Sequence, residues 1–208
     1  MTPYTYLALG DSYTIGEQVP LADSFPYQTV QLIRNKMAPE NLPVRYFCAP
    51  EIIATTGWTT DELQASIDRT NLFPAYDFVS LLIGVNNQYR GRDVENFKIE
   101  FEQLLKRAIQ FAGDQPKNVS VLSIPDWGIT PFAAGRDISK IALEIDQYNR
   151  ACNEIAIANQ VMYIDITPSQ RLDGHTDGFV AGDGLHPSGK EYTKWADQLS
   201  KAILERII

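Results

Sequence analysis

The stretch Leu7-Ala8-Leu9-Gly10-Asp11-Ser12-Tyr13-Thr14-Ile15-Gly16 decides the predicted fold. The apolar run from Tyr4 to Leu9 has the length and residue types of a buried strand. Gly10 permits a sharp turn, and Ser12 falls just beyond the end of the strand. In open α/β sheets the catalytic residues usually lie just beyond the carboxyl ends of the strands, so Ser12 is a candidate nucleophile. Taken alone, the stretch also fits an ordinary polar loop between a strand and a helix.

The composition predicts a globular protein with one domain spanning residues 1–208. Hydrophobic residues make up 44% and charged residues 21% of the 208 residues, which is usual for such proteins. The net charge of -8 and the lack of a basic stripe argue against nucleic acid as a partner. No apolar run approaches the roughly 20 residues of a membrane span.

The N-terminus and the cysteines favour a cytoplasmic location. The first residues, Met1-Thr2-Pro3-Tyr4, carry no charged segment of the kind that opens a signal peptide. A secreted or periplasmic location would apply if a signal peptide had been removed. Cys48 and Cys152 lie in apolar runs without metal-ligand spacing, which favours two buried thiols over a disulfide.

Strand and helix patterns alternate along the chain. Strands are predicted at 4–9, 44–47, 78–83, 119–124 and 161–164. Helices are predicted at 24–37, 59–67, 94–111, 138–158 and 188–207, two of them with capping-box spacing at Thr59 and Ser188. Residues 165–187 are predicted to form a long connection. This order predicts a three-layer α/β/α, flavodoxin-like fold, a five-stranded parallel sheet with helices on both faces.

Four polar signals follow the predicted strands. They are Ser12 after the first strand, Gly57 after the second, Asn86 after the third, and the segment Asp183-Gly184-Leu185-His186 after the fifth. Because the carboxyl ends of parallel strands meet at one edge of the sheet, these residues are expected to lie together. Acyl transfer to serine needs a nucleophile, a base, a group that orients the base, and oxyanion donors. The four signals offer a candidate for each role.

These blocks resemble those of the SGNH (GDSL-type) hydrolases. The family's successive blocks correspond to Gly10-Asp11-Ser12, to Gly57 before a helix, to Gly84-Val85-Asn86, and to Asp183 with His186 three residues later. The set occurs in order from residue 10 to 186. Two positions depart from the family pattern: Tyr13 replaces the leucine of the signature, and Asn87 stands where an aspartate often follows the third block.

The resemblance implies a serine ester hydrolase that needs neither a metal nor an organic cofactor. Ser12 would attack the carbonyl of a small-molecule ester, His186 would accept its proton, and Asp183 would orient the imidazole. The backbone N–H groups of Ser12 and Gly57 and the side-chain amide of Asn86 would form the oxyanion hole. Short acyl chains, including acetyl groups on sugars, are the expected substrates.

Four further residues are predicted to line the substrate pocket, with simple loop packing as the alternative: Trp58, Tyr89, Asp126 and Trp127. A lysophospholipase, a thioesterase or an acyltransferase would use the same catalytic residues. A non-catalytic glycan-binding module is a further alternative. So is a metal-dependent hydrolase, for which the candidate ligands are Asp165, Asp173, His175, Asp177, Asp183 and His186.

Overall fold

The centre of the protein, in a computed structural model that describes residues 3–37, 46–176 and 178–207, is a parallel β-sheet. Its strands are β1 (Tyr6–Asp11), β2 (Glu51–Thr55), β3 (Phe78–Leu82), β4 (Val119–Leu122) and β5 (Met162–Ile164). Their order across the sheet is β2-β1-β3-β4-β5, with every neighbouring pair parallel. This is the flavodoxin-like order and confirms the predicted fold class.

The three central strands are buried along their whole length. Every residue of β1, β3 and β4 is buried, whereas β2 at the edge is only partly covered. A parallel sheet covered by helices on both faces leaves its inner strands no polar face, so they form near-continuous apolar runs. The sequence patterns of these three strands are therefore the easiest to interpret.

The described helices cover both faces of the sheet. They are α1 (Ser12–Ile15), α2 (Phe25–Met37), α3 (Thr60–Arg69), α4 (Val85–Tyr89), α5 (Val94–Phe111), α6 (Ile138–Ala158), α7 (Thr167–Asp173) and α8 (Gly189–Leu204). Helix α2 packs on α8, and α5 packs on α3 and α6. Because crossovers between parallel strands are right-handed, the reversal of direction after β2 puts α2 on one face and α3, α5 and α6 on the other. No helix within the described ranges combines the length and the apolar character that a bilayer span requires.

Aromatic packing joins α2 to α8. Phe25, Tyr192 and Trp195 are fully buried, and their ring centroids lie 5.0 to 6.4 Å apart. Large aromatic side chains remove much apolar surface from water, so this cluster anchors α8 to α2. The loop that precedes α8 is thereby held close to the edge where β1 ends.

The predicted helix starts are confirmed. The backbone N–H of Thr59 donates to Glu62 at 2.9 Å, as expected of the capping box at the start of α3. The N–H of Glu191 points to the Ser188 hydroxyl at 3.4 Å, and α8 begins at the next residue, Gly189. Short polar side chains before an apolar stripe supply acceptors for the free N–H groups of the first turn.

The second strand was predicted in the wrong place. Of the predicted strand at 44–47, residues 44 and 45 lie outside the described residues, and Phe47 makes only an isolated bridge to Tyr4. The strand is Glu51–Thr55 instead. An edge strand is covered on one side only, so its sequence need not be an uninterrupted apolar run.

Short helices and one thiol also differ from the sequence predictions. The one-turn helices α1 and α4 were not predicted, and α7 lies inside the predicted 165–187 connection, where Pro168 occupies its first turn. Helices of four to seven residues carry too few turns for a periodic pattern to show. Both cysteines are free, but only Cys152 is buried, and Cys48 is partly exposed.

Candidate active site

Ser12 begins the one-turn helix α1 directly after β1. Its residue is 5% exposed, so the hydroxyl lies at the base of a depression rather than on open surface. Asp11 caps α1 by accepting a hydrogen bond from the backbone N–H of Tyr13 at 3.1 Å. The buried carboxyl group of Asp11 thus shapes the turn that presents Ser12. Burial raises the pKa of Asp11 to about 7, against the opposing effect of its backbone hydrogen bonds.

Gly57 and Asn86 flank this serine on the neighbouring strand ends. Gly57 follows β2 with a φ of 85°, a left-handed conformation that favours glycine. Asn86 lies in α4 after β3, and its side-chain amide donates to the carbonyl of Trp58 at 3.0 Å. Gly84, with a φ of 129°, is needed because an added Cβ would lie 2.7 Å from Ile124. The order of the strands in the sheet reverses direction between β1 and β3. The ends of these two strands carry polar groups, with Ser12 after β1 and Asn86 after β3.

Asp183 and His186 form a hydrogen-bonded pair. Oδ2 of Asp183 lies 2.5 Å from Nδ1 of His186, and Oδ1 accepts the backbone N–H groups of Leu185 and His186, each at 3.0 Å. Partial burial disfavours the charged carboxylate. The hydrogen bonds from the imidazole and the two amides outweigh that effect and lower the pKa of Asp183. The carboxylate therefore remains ionised beside the imidazole.

Neighbouring groups hold the loop that carries this pair. The N–H of Ala181 donates to the carbonyl of His186 at 2.7 Å, and the N–H of Phe132 donates to the carbonyl of Gly184 at 2.9 Å. The ring of Tyr13 contacts the buried imidazole edge-on, with centroids 5.7 Å apart. Tyr13 also contacts Trp195, so the aromatic core beneath α8 supports the histidine.

One pocket of about 180 Å³ brings the candidate residues together. Ser12, Gly57, Asn86 and His186 all line it, so residues far apart in the chain meet at one edge of the sheet. The other lining residues are Tyr13, Thr56, Val85, Tyr89, Trp127, Phe132 and Leu185. A small apolar pocket with a few convergent polar groups is typical of a site for a small molecule.

Three aromatic rings form one wall of this pocket. Trp127 contacts both Tyr89 and Phe132, with ring centroids 5.3 and 6.0 Å away. The indole N–H of Trp127 donates to Gln88 at 2.7 Å, and the guanidinium of Arg136 lies 5.3 Å from each of the three ring centroids. These contacts fix the wall, which we call the aromatic wall (Tyr89, Trp127 and Phe132).

Two of the predicted pocket residues do not line the pocket. The buried carboxyl of Asp126 accepts the N–H of Gly128 at 2.8 Å and pairs with Arg171 at 2.8 Å, facing a different depression. The Trp58 ring packs partly buried against the core, and its backbone carbonyl is the group that holds Asn86. The structure therefore gives both residues supporting positions behind the site.

Sequence reasoning missed several pocket residues. Leu185 lies inside the Asp183–His186 segment, Phe132 follows the fourth predicted strand, and Val85 lies inside the Gly84-Val85-Asn86 block. Their position next to a proposed catalytic residue or an aromatic loop residue was the only available signal. Apolar side chains in loops resemble ordinary core packing, so this signal does not separate a pocket wall from the core.

The six candidate metal ligands do not assemble into a site in the part of the chain that the structure describes. No group of three or more His, Cys, Asp or Glu residues there could hold a metal ion. Asp177, one of the six candidates, lies outside the described residues. Asp173 pairs with Lys194, and Asp183 pairs with His186.

A family model agrees with the sequence blocks. The model described as "GDSL-like Lipase/Acylhydrolase family" matches residues 8–194, which is most of the chain. A comparison with curated proteins gave no match.

Solved structures with the same fold are distant in sequence. A lipase/acylhydrolase from Enterococcus faecalis is 21% identical, with a TM-score of 0.71 over 98% of this chain and 96% of that chain. The acetylxylan esterase Axe2 from Geobacillus stearothermophilus is 18% identical, with a TM-score of 0.71 over 97% and 94%. The psychrotrophic esterase EstA from Pseudoalteromonas sp., in a structure inhibited by monoethylphosphonate, is 15% identical, with a TM-score of 0.66 over 98% of both chains.

Proposed function

We propose that this chain, which belongs to the GDSL-like lipase/acylhydrolase family, is a serine esterase that forms an acyl-enzyme on Ser12. One observation carries the proposal: the histidine of the Asp183–His186 pair lines the same small pocket as Ser12, Gly57 and Asn86. The proposal assigns a nucleophile, a base, an orienting group and oxyanion donors to these residues, which are the groups that acyl transfer to serine requires.

The Asp183–His186 pair supports the assignment of the base. With the carboxylate on Nδ1, the imidazole keeps its proton there and leaves Nε2 able to accept one. In the proposed mechanism Ser12 Oγ bonds to the ester carbonyl carbon while its proton passes to Nε2 of His186. The imidazolium, stabilised by Asp183, then gives the proton to the leaving alcohol. Water then attacks the acyl carbonyl carbon and gives a proton to His186, which passes it to Ser12 Oγ as the bond between Ser12 and the acyl group breaks and the carboxylic acid leaves.

The developing oxyanion needs fixed donors. The proposed donors are the backbone N–H groups of Ser12 and Gly57 and the side-chain amide of Asn86. One N–H of that amide is held by the Trp58 carbonyl, which leaves the other for the substrate. Donors that are in place before the reaction stabilise the transition state without reorganisation, and each contributes about 10²–10³ in kcat.

The pocket supports esters with short acyl groups as substrates. Its volume of about 180 Å³ is below the 300 Å³ or more that is usual for drug-sized ligands. The aromatic wall closes one side, and its rings are held by Gln88 and Arg136. Acetyl esters, including those on sugars, fit these dimensions. The acetylxylan esterase Axe2, which has the same fold, supports this choice of substrate class.

The test is hydrolysis of an activated acetyl ester by the wild-type protein and by Ser12→Ala. We expect the substitution to lower kcat by about 10⁴-fold or more. Ser139→Ala removes an exposed serine outside the pocket and serves as the matched control. A Ser12→Ala protein with wild-type rates would show that Ser12 is not the nucleophile.

A covalent label gives an independent readout. An ethylphosphonate should add one adduct mass to the wild-type protein and none to Ser12→Ala, as the monoethylphosphonate in the EstA structure suggests. Product analysis with an added alcohol separates hydrolysis from acyl transfer at the same site. Absence of both adduct and turnover over a range of acyl lengths would favour a non-catalytic binding module.

A further inference from the structure

Asn87, Thr60 and Glu100 form a hydrogen-bonded chain behind the proposed oxyanion hole. We propose that Asn87 and Glu100 are a matched pair of positioning residues. They act through Thr60 to fix the positions of Gly57 and Asn86 relative to each other. This inference rests on the proposed function of the site. Neither Asn87 nor Glu100 would itself touch the substrate.

Asn87 is tied to Thr60 by two hydrogen bonds. The backbone N–H of Thr60 donates to Oδ1 of Asn87 at 3.1 Å, and Nδ2 of Asn87 donates to the Thr60 hydroxyl at 2.7 Å. Both residues are fully buried. Because a backbone N–H can only donate, the oxygen of the Asn87 amide must face Thr60 N, which fixes the orientation of the amide.

The Thr60 hydroxyl also forms a hydrogen bond with Glu100. Its oxygen accepts from Asn87, so its single proton is free to donate to Oε2 of Glu100, with which it makes a short contact. The other oxygen of Glu100 accepts from the side-chain amide of Asn96 at 2.7 Å. Every group in the chain therefore has a defined role as donor or acceptor.

The hydrogen bonds between Asn87 and Thr60 connect the two segments that carry the proposed oxyanion donors. Thr60 is the first residue of α3 and follows Gly57 by three positions, while Asn87 is the neighbour of Asn86 in α4. Two more bonds span the same gap: Asn86 to the Trp58 carbonyl at 3.0 Å, and Arg90 to the Gly57 carbonyl at 2.6 Å. Of these ties, only the pair between Asn87 and Thr60 is buried from solvent.

The donor and acceptor roles in this network are met by asparagine at position 87 and would not be met by aspartate. An aspartate could still accept the Thr60 N–H, but it could not donate to the hydroxyl. The one proton of Thr60 would then have to serve two carboxylates, at position 87 and at Glu100. A carboxylate at the fully buried position 87 would compete with the partly buried Glu100 for that proton, and a buried acceptor without a donor is costly, so asparagine suits position 87 better.

The test is a double-substitution cycle on the full chain. Asn87→Asp should lower kcat for an activated acetyl ester about tenfold with little change in KM, because a small displacement of oxyanion donors weakens transition-state binding only. Glu100→Gln should remain within about twofold, since its amide oxygen can accept from Thr60. The combined variant should recover most of the loss. In that variant the glutamine amide at position 100 can donate to the Thr60 hydroxyl, which then donates to the new carboxylate at position 87.

A matched control separates positioning from general stability. Asn149 is a buried asparagine that does not line the pocket, and its amide bonds the backbone of Ile124 at 2.7 and 2.9 Å. Asn149→Asp should lower the Tm without a kcat loss in the molecules that remain folded. Each rate is therefore measured below the onset of unfolding, together with the Tm.

The outcomes are distinct. If the combined variant is as impaired as Asn87→Asp, or if Asn87→Asp has the wild-type kcat, the pairing proposal is wrong. The pairing proposal is also wrong if Asn87→Asp, like Asn149→Asp, changes the Tm and leaves kcat unchanged. If the wild-type protein neither turns over esters nor reacts with a phosphonate, the proposed function fails. The Tm values of the two single variants and the combined variant then still test whether positions 87 and 100 are coupled.

Discussion

The backbone N–H of Phe132 donates to the carbonyl of Gly184 at 2.9 Å, which fastens the aromatic wall to the loop between Asp183 and His186. The wall that limits the pocket and the loop that carries the proposed base are therefore mechanically joined. A side-chain change at 132 leaves this backbone bond in place, so the size of the pocket can be altered without releasing the histidine loop.

Phe132→Ala should broaden the range of acyl lengths. The ring lines the pocket and is 39% exposed, so its loss opens the wall at a modest cost in stability. Each added methylene that gains burial contributes about 0.8 kcal/mol, or up to about fourfold in kcat/KM. The ratio of hexanoyl to acetyl ester hydrolysis should therefore rise. Phe73→Ala, an exposed aromatic near the start of β3, is the control, and an unchanged ratio would remove Phe132 from the acyl site.

Asp183→Asn should abolish most of the activity while leaving the fold intact. The amide would donate to Nδ1 of His186, which would place the imidazole proton on Nε2 and block its function as a base. Losses of about 10⁴-fold in kcat accompany this change in serine triads. Steady-state kinetics at pH 8 measure it, with circular dichroism as the check on folding. A loss under tenfold would contradict the assigned role.

The same carboxylate contributes to stability with a defined sign. Its pKa is lowered in the folded protein, so its stabilising effect is present above the unfolded value of about 3.9 and is lost as the pH falls through the folded value. The stability difference between wild type and Asp183→Asn should accordingly shrink below about pH 4.

Asn86→Ala should lower kcat by about 10²–10³ with a smaller change in KM, because the proposed contact exists only with the developing oxyanion. Asn86→Asp should be at least as impaired, since a carboxylate cannot donate and repels negative charge. Both variants also lose the bond to the Trp58 carbonyl, so their Tm values are needed to correct for unfolding. An unchanged kcat in Asn86→Ala would exclude this side chain from the oxyanion hole.

The sequence predicted those parts of the fold that depend on buried, continuous patterns. The central strands β1, β3 and β4 and the long helices α5 and α6 lie where the apolar runs and stripes placed them. Strand β2 was misplaced because a partly covered edge strand leaves only a weak apolar signal. Helix α7 was missed because seven residues give less than two full periods.

At the site, strand ends were informative and side-chain direction was not. Ser12, Gly57 and Asn86 meet because the parallel strands that precede them end at one edge, as the chain order predicts, whereas His186 reaches the same pocket on the loop before α8. Whether a loop side chain then faces the pocket depends on local turns. Asp126 follows β4 as expected, yet it turns away to cap Gly128 and bind Arg171. Such turns depend on tertiary partners that no local pattern reveals.

Asp11→Asn should stabilise the protein at neutral and alkaline pH. The buried carboxyl has a pKa of about 7 in the folded protein, against about 3.9 when unfolded. Between those values the folded protein holds a proton that the unfolded chain releases, so folding stability falls as the pH rises through this window and levels off above it. Asparagine keeps the acceptor for the Tyr13 N–H and removes the titration.

The expected gain from Asp11→Asn is therefore near zero below about pH 4 and grows to a few kcal/mol, about 4 at most, above pH 7. Urea unfolding at pH 4.5, 6 and 8 measures it. Asp93→Asn makes the same change at an exposed N-cap, where the side chain accepts the N–H groups of Glu95 and Asn96, and so controls for the cap itself. A stability difference that stays flat from pH 4.5 to 8 would mean that Asp11 does not titrate in this range. The turn before Ser12 would then carry its negative charge throughout.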